Sequence, residues 1–221
     1  MSYSFTNLGT VAVDFERPAP SLIETVSRIQ PATLHEAAGK IGALPSAIKP
    51  TSPAFTVCGP AFTVHGPGID NLWLHRALVL AQPGDVLVAY VSGAYEAGYW
   101  GEVMSTMARE RGLAGLVIDG CVRDGDLLTQ IGVPVFSRGL CLRGTGKDFG
   151  AIGWLNAPIR VGEVTIHPGD LIAGDCDGVV VIPQRRIAEV IDAARGREAH
   201  EVEILRRLRG GEATLDIYGW G

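Results

Sequence analysis

The segment VIDGCVRDGDLL places Arg123 beside Asp124 directly after a strand-like apolar run. An adjacent Arg-Asp pair in a turn is usually a solvated ion pair worth about 0 to 1 kcal/mol. In open α/β sheets, however, ligands bind in the crevice beyond the carboxyl ends of the strands. This position favours a chemical role for the pair, with Asp124 as a hard oxygen donor and Arg123 as a planar fork of N–H groups.

A second candidate lies upstream, where GAYEAGYWGEVM connects the strand DVLVAYV to a helix that begins near Gly101. The loop follows a strand, so we expect it at the same edge of the sheet. The backbone N–H groups from Gly101 to Met104, those of Glu102 and Val103 included, would receive a carboxylate at the positive end of the helix. Glu102 could instead serve only to stabilise the helix dipole. Both loops together predict a site for a magnesium-bound oxo-acid, because Mg²⁺ takes only one or two protein carboxylates.

The elements that must position these loops follow from the spacing of apolar residues. SLIETVSRI and ATLHEAAGKI predict two short N-terminal helices, and Thr33 with Glu36 fits a capping box in the second. PAFTVCGPAFTVHGPG favours strands separated by Gly-Pro breaks. NLWLHRALVLAQ and GEVMSTMARERG predict helices, whereas DVLVAYVS and LAGLVIDG predict buried strands. The middle of the chain is therefore of βαβ type, with parallel strands.

After Val133 the chain is β-rich, with short strands between Gly, Pro and Asp turns. A last amphipathic helix is expected from about residue 187 to 208, with an apolar stripe formed by Ile187, Ile191, Ala194, Val202 and Leu205. No Ser/Gly-rich tract or charge block separates the two halves. We therefore predict one α/β domain over residues 1–221, with layered sheets.

Composition and motifs exclude several other classes of protein. A net charge of -5 argues against a nucleic-acid surface. RGTGKDFG has Cys141 where a P-loop needs glycine and Asp148 where it needs Ser or Thr, and HGPGIDN lacks the G-x-G-x-x-G spacing, so no nucleotide is expected. The four cysteines form no C-x-x-C pair, the five histidines are scattered, and G-x-S-x-G is missing. Buried, reduced thiols are expected.

The opening residues carry no basic-then-apolar leader, and the apolar runs are shorter than the roughly 20 residues of a membrane helix. We therefore expect a soluble cytoplasmic protein that contacts no membrane.

Three stretches together carry a family resemblance: GYWGEVMSTMARERGLAGLVIDGCVRDGDLL, VPVFSRGLCLRGTGKD and VTIHPGDLIAGDCDGVVVIP. The sequence resembles the 4-hydroxy-4-methyl-2-oxoglutarate / 4-carboxy-4-hydroxy-2-oxoadipate aldolases of the RraA-like group, named after the regulator of ribonuclease E activity. The similarity covers roughly Thr33 to Leu208. It implies a single RraA-like domain of layered α/β/β/α architecture, with mixed sheets, central βαβ units and a C-terminal helix.

The resemblance also implies an activity. Such enzymes are class II aldolases of aromatic-acid catabolism that use Mg²⁺ or Mn²⁺ to cleave a 4-hydroxy-2-oxo diacid into pyruvate and a second 2-oxo acid. They decarboxylate oxaloacetate as well. Neither pyridoxal phosphate nor a Schiff-base lysine is required, since the metal replaces the Schiff base. Family members are homotrimers or homohexamers with interfacial active sites.

By match to the family's motif, Asp124 would ligate the metal directly and Glu102 would hold it through water. Arg123 would contact the pyruvyl oxygens, and the backbone after Gly101 would bind the carboxylate. Glu102 departs from the shorter acid, often Asp, that the family has in this loop. The added methylene moves the carboxylate by about one carbon-carbon bond length, which a contact through water tolerates better than direct ligation.

Further positions match the family more loosely. Asn71 and His75 would bind substrate, Glu36 would take part in catalysis, and Glu198 or Glu201 on the last helix would reach the metal from a neighbouring subunit. Each has an ordinary structural alternative: Asn71 could cap its helix, Glu36 could complete the capping box, and His75 could be a core or surface residue.

Two other functions remain open at this stage. The chain could be a non-catalytic RraA-like regulator that binds a protein partner, or a dedicated oxaloacetate decarboxylase that uses the same site. The loop before Glu102 and the presence of Asp124 favour an enzyme over a regulator.

Overall fold

The structure is a computed structural model that describes residues 14–221, so the first 13 residues of the predicted domain lie outside the described residues. The helices are α1 Pro20–Val26, α2 Pro31–Ala37, α3 Leu72–Leu80, α4 Glu102–Glu110, α5 Gly125–Ile131, α6 Ile187–Arg209 and α7 Thr214–Tyr218. The strands are β1 Lys49–Pro50, β2 Val57–His65, β3 Val86–Tyr90, β4 Gly115–Ile118, β5 Val135–Ser137, β6 Trp154–Leu155, β7 Ile159–Val161, β8 Val164–Ile166, β9 Leu171–Asp175 and β10 Gly178–Ile182.

One mixed sheet carries the fold, with strand order β1-β5-β4-β3-β2-β9-β10 and β6 attached to β2. Strands β2, β3, β4 and β5 are parallel to their neighbours within this group. The pairs β1-β5, β2-β6, β2-β9 and β9-β10 are antiparallel. Ala43 bridges Val180 of β10 a few residues before β1 begins, so the sheet nearly closes on itself. The predicted mixed sheet with central βαβ units is confirmed.

Three apolar clusters define the layers. The first joins the parallel strands to α3, α4 and α5, and includes Trp73, Leu78, Met104, Leu116 and Leu128. The second fills the inside of the curved sheet with Val88, Val117, Phe136, Ile172 and Val181. The third joins β9 and β10 to α1, α2 and α6 through Leu34, Val180, Ile182, Val190 and Ile191. Helices therefore cover both outer faces, as the expected α/β/β/α architecture requires.

Strand β2 corrects the prediction that Gly-Pro breaks separate two strands. It runs without interruption through Gly59 and Pro60, whereas Phe55 and Thr56 of the first AFTV unit precede it. Residues 57–60 pair with β9, and residues 61–65 pair with β3. Proline lacks the N–H that a central strand donates, and here it stands where β2 changes from one partner to the other. A Cβ at Gly59 would lie 2.4 Å from the carbonyl oxygen of Gly84, so this crossing needs glycine.

The capping box predicted in the second helix is wrong. Helix α2 begins at Pro31, which suits the first helical position, and its N-cap residue is Gln30 without a side-chain cap. Thr33 is therefore buried inside the first turn. Glu36 lies in the last turn instead, 3.2 Å from Arg197 of α6.

Helix α6 follows the predicted bounds closely, but its stripe is only half covered. Ile187, Ile191 and Ala194 are buried as expected. Val202 is 67% exposed and Leu205 47% exposed, whereas Ile204 is the buried residue of that half. The second half of the helix therefore has little of the described chain to cover its apolar side.

The cysteines and the helices bear on two further expectations. All four cysteines are free, but only Cys121 is fully buried, and Cys176 is exposed, so the expectation of buried thiols is wrong for Cys176. Within residues 14–221, no helix is both long enough and apolar enough to cross a membrane.

Candidate functional site

Arg123 and Asp124 lie five and six residues beyond the end of β4, at the carboxyl edge of the parallel strands. Asp124 has φ 62° and ψ 40°, a left-handed conformation that Asp tolerates better than most residues. It is the N-cap residue of α5, a short helix that the sequence did not reveal. The Arg123 Nε and Asp124 Oδ2 atoms are 3.7 Å apart, with the side chains 51% and 36% exposed. The pair is therefore a loose, accessible one that a ligand can reach.

The Asp124 carboxylate meets the N-terminus of α4, as the placement of both loops at one sheet edge predicted. Its Oδ2 accepts a hydrogen bond from the Glu102 N–H at 3.1 Å. The two chain segments are also tied by the Arg123 N–H, which donates to the carbonyl of Trp100 at 2.8 Å. Gly101 lies between them, and a Cβ there would be 2.4 Å from Asp124 Oδ2 and 3.1 Å from Arg123 Cγ. Only glycine permits this approach.

The first turn of α4 offers further donors. The Ser105 N–H donates to Gly101 at 3.0 Å and starts the helical hydrogen bonding. The N–H groups of Val103 and Met104 precede that point and have no intrahelical acceptor. The side chains of Glu102 and Val103 are exposed and that of Met104 is buried. The end of the helix therefore presents N–H groups and a partial positive charge beside Asp124.

Asn71 is brought to the same helix end. Its Nδ2 donates to the carbonyl of Tyr99 at 2.9 Å and lies 3.6 Å from Met104 Sδ. Its Oδ1 is buried without a hydrogen-bond partner among the described residues. Asn71 is the N-cap residue of α3, but its side chain makes no capping hydrogen bond, and Asp70 Oδ1 beside it accepts the Leu72 N–H at 2.8 Å. The N-cap position that was the structural alternative for Asn71 is therefore confirmed.

His75 lies one helical turn beyond Asn71, and its N–H donates to the Asn71 carbonyl at 3.2 Å. Burial lowers the pKa of the half-buried imidazole, and the charge of Lys147 lowers that pKa further against an opposing effect of Asp70. His75 is therefore neutral near pH 7, so one ring nitrogen can donate a hydrogen bond and the other can accept one.

The remaining predicted acids lie in the other helical layer, against β9 and β10. Glu36 pairs with Arg197, as described above. Glu198 lines a groove of about 420 Å³ between α1 and α6, together with Arg28 and Arg195. Glu201 is exposed on α6. The catalytic role of Glu36 and the arrival of Glu198 or Glu201 from a neighbouring subunit stay predictions.

Tyr99 is a residue that the sequence did not single out, although it holds two of the site's segments together. Its ring is fully buried, and burial raises the pKa of its hydroxyl. The Oη atom accepts from the Ile69 N–H at 2.8 Å and donates to the Ala94 carbonyl at 2.5 Å. Its backbone carbonyl accepts from Asn71. The signal that the sequence offered for this role was an aromatic residue in a glycine-rich loop directly after a strand.

The donor set fits some metals better than others. Within residues 14–221, no group of three or more His, Cys, Asp or Glu side chains is placed to hold a metal ion. Both contacts of the Asp124 carboxylate described above use Oδ2, so Oδ1 is the atom open to a cation. Structural or catalytic zinc requires three or four protein ligands, whereas Mg²⁺ keeps most of its waters. Asp124, with exposed Glu102 nearby, suits a hydrated Mg²⁺ or Mn²⁺.

Comparison with known proteins decides the family. The family model described as RraA-like, Aldolase/RraA, matches residues 22–181. The chain belongs to the Aldolase/RraA family. The matched residues include both segments of the site, and the family resemblance of the sequence is confirmed.

Relatives of this Aldolase/RraA protein carry names from both branches of the family. A protein of Halalkalibacterium halodurans named "Putative 4-hydroxy-4-methyl-2-oxoglutarate aldolase" is 38% identical over 175 residues, which is 79% of this chain and 82% of the relative. The crystal structure of Streptomyces coelicolor RraAS2, described as an unusual member of the RNase ES inhibitor RraA protein family, is 30% identical. It aligns with a TM-score of 0.76 over 87% of this chain and 99% of that chain.

An uncharacterized protein from Pseudomonas syringae pv. tomato str. DC3000 has a similar crystal structure, with a TM-score of 0.75 and 30% identity. The alignment covers 90% of this chain and 97% of that chain. The RraA-like fold is therefore shared along nearly the whole length of the solved structures.

Proposed function

We propose that this Aldolase/RraA protein is a divalent-metal-dependent lyase. Its substrates would be 4-hydroxy-4-methyl-2-oxoglutarate or 4-carboxy-4-hydroxy-2-oxoadipate, which it would cleave to pyruvate and a second 2-oxo acid, with oxaloacetate decarboxylation as a side reaction. One observation carries the proposal: Asp124 Oδ2 lies 3.1 Å from the N–H of Glu102, across a glycine that allows no Cβ. The acid that would hold the metal and the helix end that would bind the carboxylate thus lie within hydrogen-bonding distance of each other. The name of the H. halodurans relative supports the aldolase branch.

The residues of the site have separate tasks in this reaction. Asp124 would hold Mg²⁺ or Mn²⁺ directly and Glu102 through water, and the bound cation would supply Lewis-acid polarisation of the 2-oxo group. The N–H groups of Val103 and Met104 would bind the substrate carboxylate, with Asn71 and His75 on its other side. Arg123 would form hydrogen bonds to the pyruvyl oxygens.

Cleavage of the carbon-carbon bond moves an electron pair onto the pyruvyl fragment, which becomes the enolate of pyruvate and then takes up a proton. The substrate hydroxyl loses its proton to a water near Arg123 and the acidic residues, and becomes the carbonyl of the second product. Arg123 stabilises the negative charge that develops on the enolate oxygen. Charge stabilisation at fixed donors is the main catalytic effect that this arrangement offers.

A second subunit would complete the site. Exposed apolar side chains surround it, with Val103 77%, Leu140 64% and Leu142 93% exposed. A surface of this kind on a water-accessible catalytic site is typical of one that a partner covers. We propose a cytoplasmic homotrimer or homohexamer, in which Glu36 and Glu198 or Glu201 of one subunit approach Asp124 of the next. Light scattering of the purified protein would detect the assembly, and a monomer would contradict it.

The test of function is release of pyruvate from the two 4-hydroxy-2-oxo diacids and from oxaloacetate, each with Mg²⁺ or Mn²⁺ and again with a chelator. We expect pyruvate with metal and none with chelator. Arg123→Ala should lower turnover severely while the melting temperature stays close to that of the wild type, because the side chain is half exposed. Near-normal turnover in this variant would remove the role of Arg123.

The similarity to RraAS2 supports a second candidate, a binding protein that regulates a partner without catalysis. The same assay separates the two. If the metal-loaded protein releases pyruvate from none of the three compounds, the lyase proposal fails and the regulatory function is favoured. Release from oxaloacetate alone would identify a dedicated decarboxylase.

A further inference from the structure

We propose that Arg138 is a positioning residue for the glycine loop, residues 92–101, and acts through Tyr95. Arg138 is not among the residues that would touch the substrate. Its effect on turnover rests on the proposed lyase function, whereas its effect on the loop does not.

The contacts form a chain of three side chains. Asp119 follows β4 and is 2% exposed, and its Oδ1 accepts a hydrogen bond from Arg138 Nε at 2.6 Å. The guanidinium carbon of Arg138 lies 3.9 Å from the centroid of the Tyr95 ring. Since Arg138 follows β5 and Tyr95 follows β3, the chain joins the carboxyl ends of three neighbouring strands. We call this chain the Arg138 latch.

The burial of Asp119 fixes the latch at one end. A buried carboxylate is stable only when it is paired and hydrogen-bonded, so Arg138 is held where Asp119 requires it. The Arg138 N–H donates to the Gly120 carbonyl at 3.0 Å, which orients the backbone as well. The guanidinium is thus a fixed plane on which the Tyr95 ring lies, and a cation-π contact of this kind is directional.

The glycine loop needs such an anchor because its backbone is intrinsically free. It contains Gly93, with φ +74°, together with Gly98 and Gly101. Glycine loses more conformational freedom on ordering than any other residue. Tyr95 is tied twice, by the Arg138 guanidinium on its ring and by the Cys121 N–H, which donates to its carbonyl at 3.0 Å.

The loop ends at Gly101, where the tolerance for movement is smallest. The N–H of Glu102 meets Asp124 there, and Gly101 has no space for even one more carbon atom. A shift of the loop would change the distance between the end of α4 and Asp124. Arg138 therefore sets the geometry of the candidate site through a ring and a loop, without contact with substrate.

The experiment compares Tyr95→Leu with Tyr95→Phe, which removes the hydroxyl but keeps the ring. In Tyr95→Leu we expect amide hydrogen exchange of the loop peptide to rise by about two- to thirtyfold, the range that corresponds to a cation-π contact of about 0.5 to 2 kcal/mol. The value of kcat/KM for pyruvate release should fall by a similar factor. Tyr95→Phe should match the wild type in both, and the melting temperature of Tyr95→Leu should fall by no more than about 8 °C, the change that loss of this one contact gives in a chain of this length.

Three outcomes would overturn the latch. The first is a loop exchange rate in Tyr95→Leu equal to that of the wild type, whatever the activity. The second is faster exchange spread evenly over the whole chain, with a melting temperature lowered by more than loss of this one contact gives, which indicates a role in folding stability alone. The third is a Tyr95→Phe variant as impaired as Tyr95→Leu, which would assign the effect to the hydroxyl.

A further variant and a control on the wild type separate failure of the Arg138 latch from failure of the proposed function. Arg138→Lys retains a charge for Asp119 but loses the planar face, so its loop should exchange faster than in the wild type even if Tyr95→Leu fails to fold. If the wild type releases no pyruvate from any substrate, the proposed function fails, and hydrogen exchange still decides whether the latch exists.

Discussion

Replacement of Gly101 by alanine tests the geometry of the site most directly. Gly101 has φ -163° and ψ -162°, an extended conformation that alanine also adopts, so the substitution adds no backbone strain. The new Cβ would lie 2.4 Å from Asp124 Oδ2. Because carbon and oxygen atoms in contact stay well over 3 Å apart, the carboxylate must move by about 1 Å. The hydrogen bond from the Glu102 N–H would then lengthen from 3.1 Å to about 4 Å, beyond hydrogen-bonding range.

The consequences for activity and for stability differ in size. A misplacement of about 1 Å in a catalytic arrangement can lower the rate about 10²-fold, and we expect kcat/KM for pyruvate release to fall by that order. Asp124 is 36% exposed and can turn toward water, so the loss of its hydrogen bond should cost about 1 kcal/mol. In a chain of this length, that corresponds to a drop of about 2 to 4 °C in the melting temperature.

The control is Gly144→Ala, in a neighbouring loop where an added Cβ meets no atom within 4 Å. Steady-state kinetics and differential scanning calorimetry on both variants, with Mn²⁺ titration by calorimetry as a third measurement, separate the effects. We expect weaker Mn²⁺ binding and low activity for Gly101→Ala alone. A Gly101→Ala protein as active as Gly144→Ala would refute the reasoning that Asp124 and the end of α4 must meet at this distance.

Four further predictions concern other parts of the chain. Burial raises the pKa of the Cys58 thiol to about 11, so at pH 9 about 1% of it is thiolate and its alkylation should be more than about tenfold slower than that of exposed Cys176, as followed by mass spectrometry. The same raised pKa favours the protonated thiol in the folded state, so the free energy of unfolding should decline as the pH rises from 9 toward 11. Gly196→Ala, in the exposed interior of α6, should stabilise the protein by about 0.8 to 1.0 kcal/mol in urea unfolding, and no gain would show that α6 is not helical there. Arg17→Ala removes both 2.8 Å hydrogen bonds to fully buried Asp85 and should cost about 3 kcal/mol in the same measurement; an unchanged midpoint would contradict the pairing.

The elements that the sequence predicts best are those in which apolar residues recur regularly, or without a break, over many residues. Helices α3, α4 and α6 and strands β3 and β4 were all expected close to their observed places, because each buries a regular face or a continuous run. Helix α5 was missed because it starts directly after a left-handed Asp124, in a segment whose Gly and Asp residues are typical of a turn. The continuity of β2 through Pro60 depends on a change of strand partner, and local sequence does not record its partners.

The candidate site also has contacts that could be predicted from the sequence and contacts that could not. The meeting of Asp124 with the end of α4 could be predicted, because adjacent parallel strands bring their carboxyl ends to one edge. The contacts made by Asn71, Tyr99 and Arg138 could not, because each joins residues that are 19 to 30 positions apart, through hydrogen bonds whose directions depend on packing. The N-cap position of Asn71 could be predicted from its place before α3, whereas the hydrogen bond from its side chain to Tyr99 could not.

The partner change within β2 couples the two halves of the molecule through register. A slip of one residue along a strand exchanges its buried and outward faces. In β2 such a slip would invert Val57 against β9 and Phe62 against β3 together, and so disrupt all three apolar clusters in one step. A β2 strand in the wrong register is therefore mispaired with both of its partners, β9 and β3, at the same time. Strand β2 therefore sets the register of both β9 and β3. Through β3, it also sets the position at which the glycine loop begins.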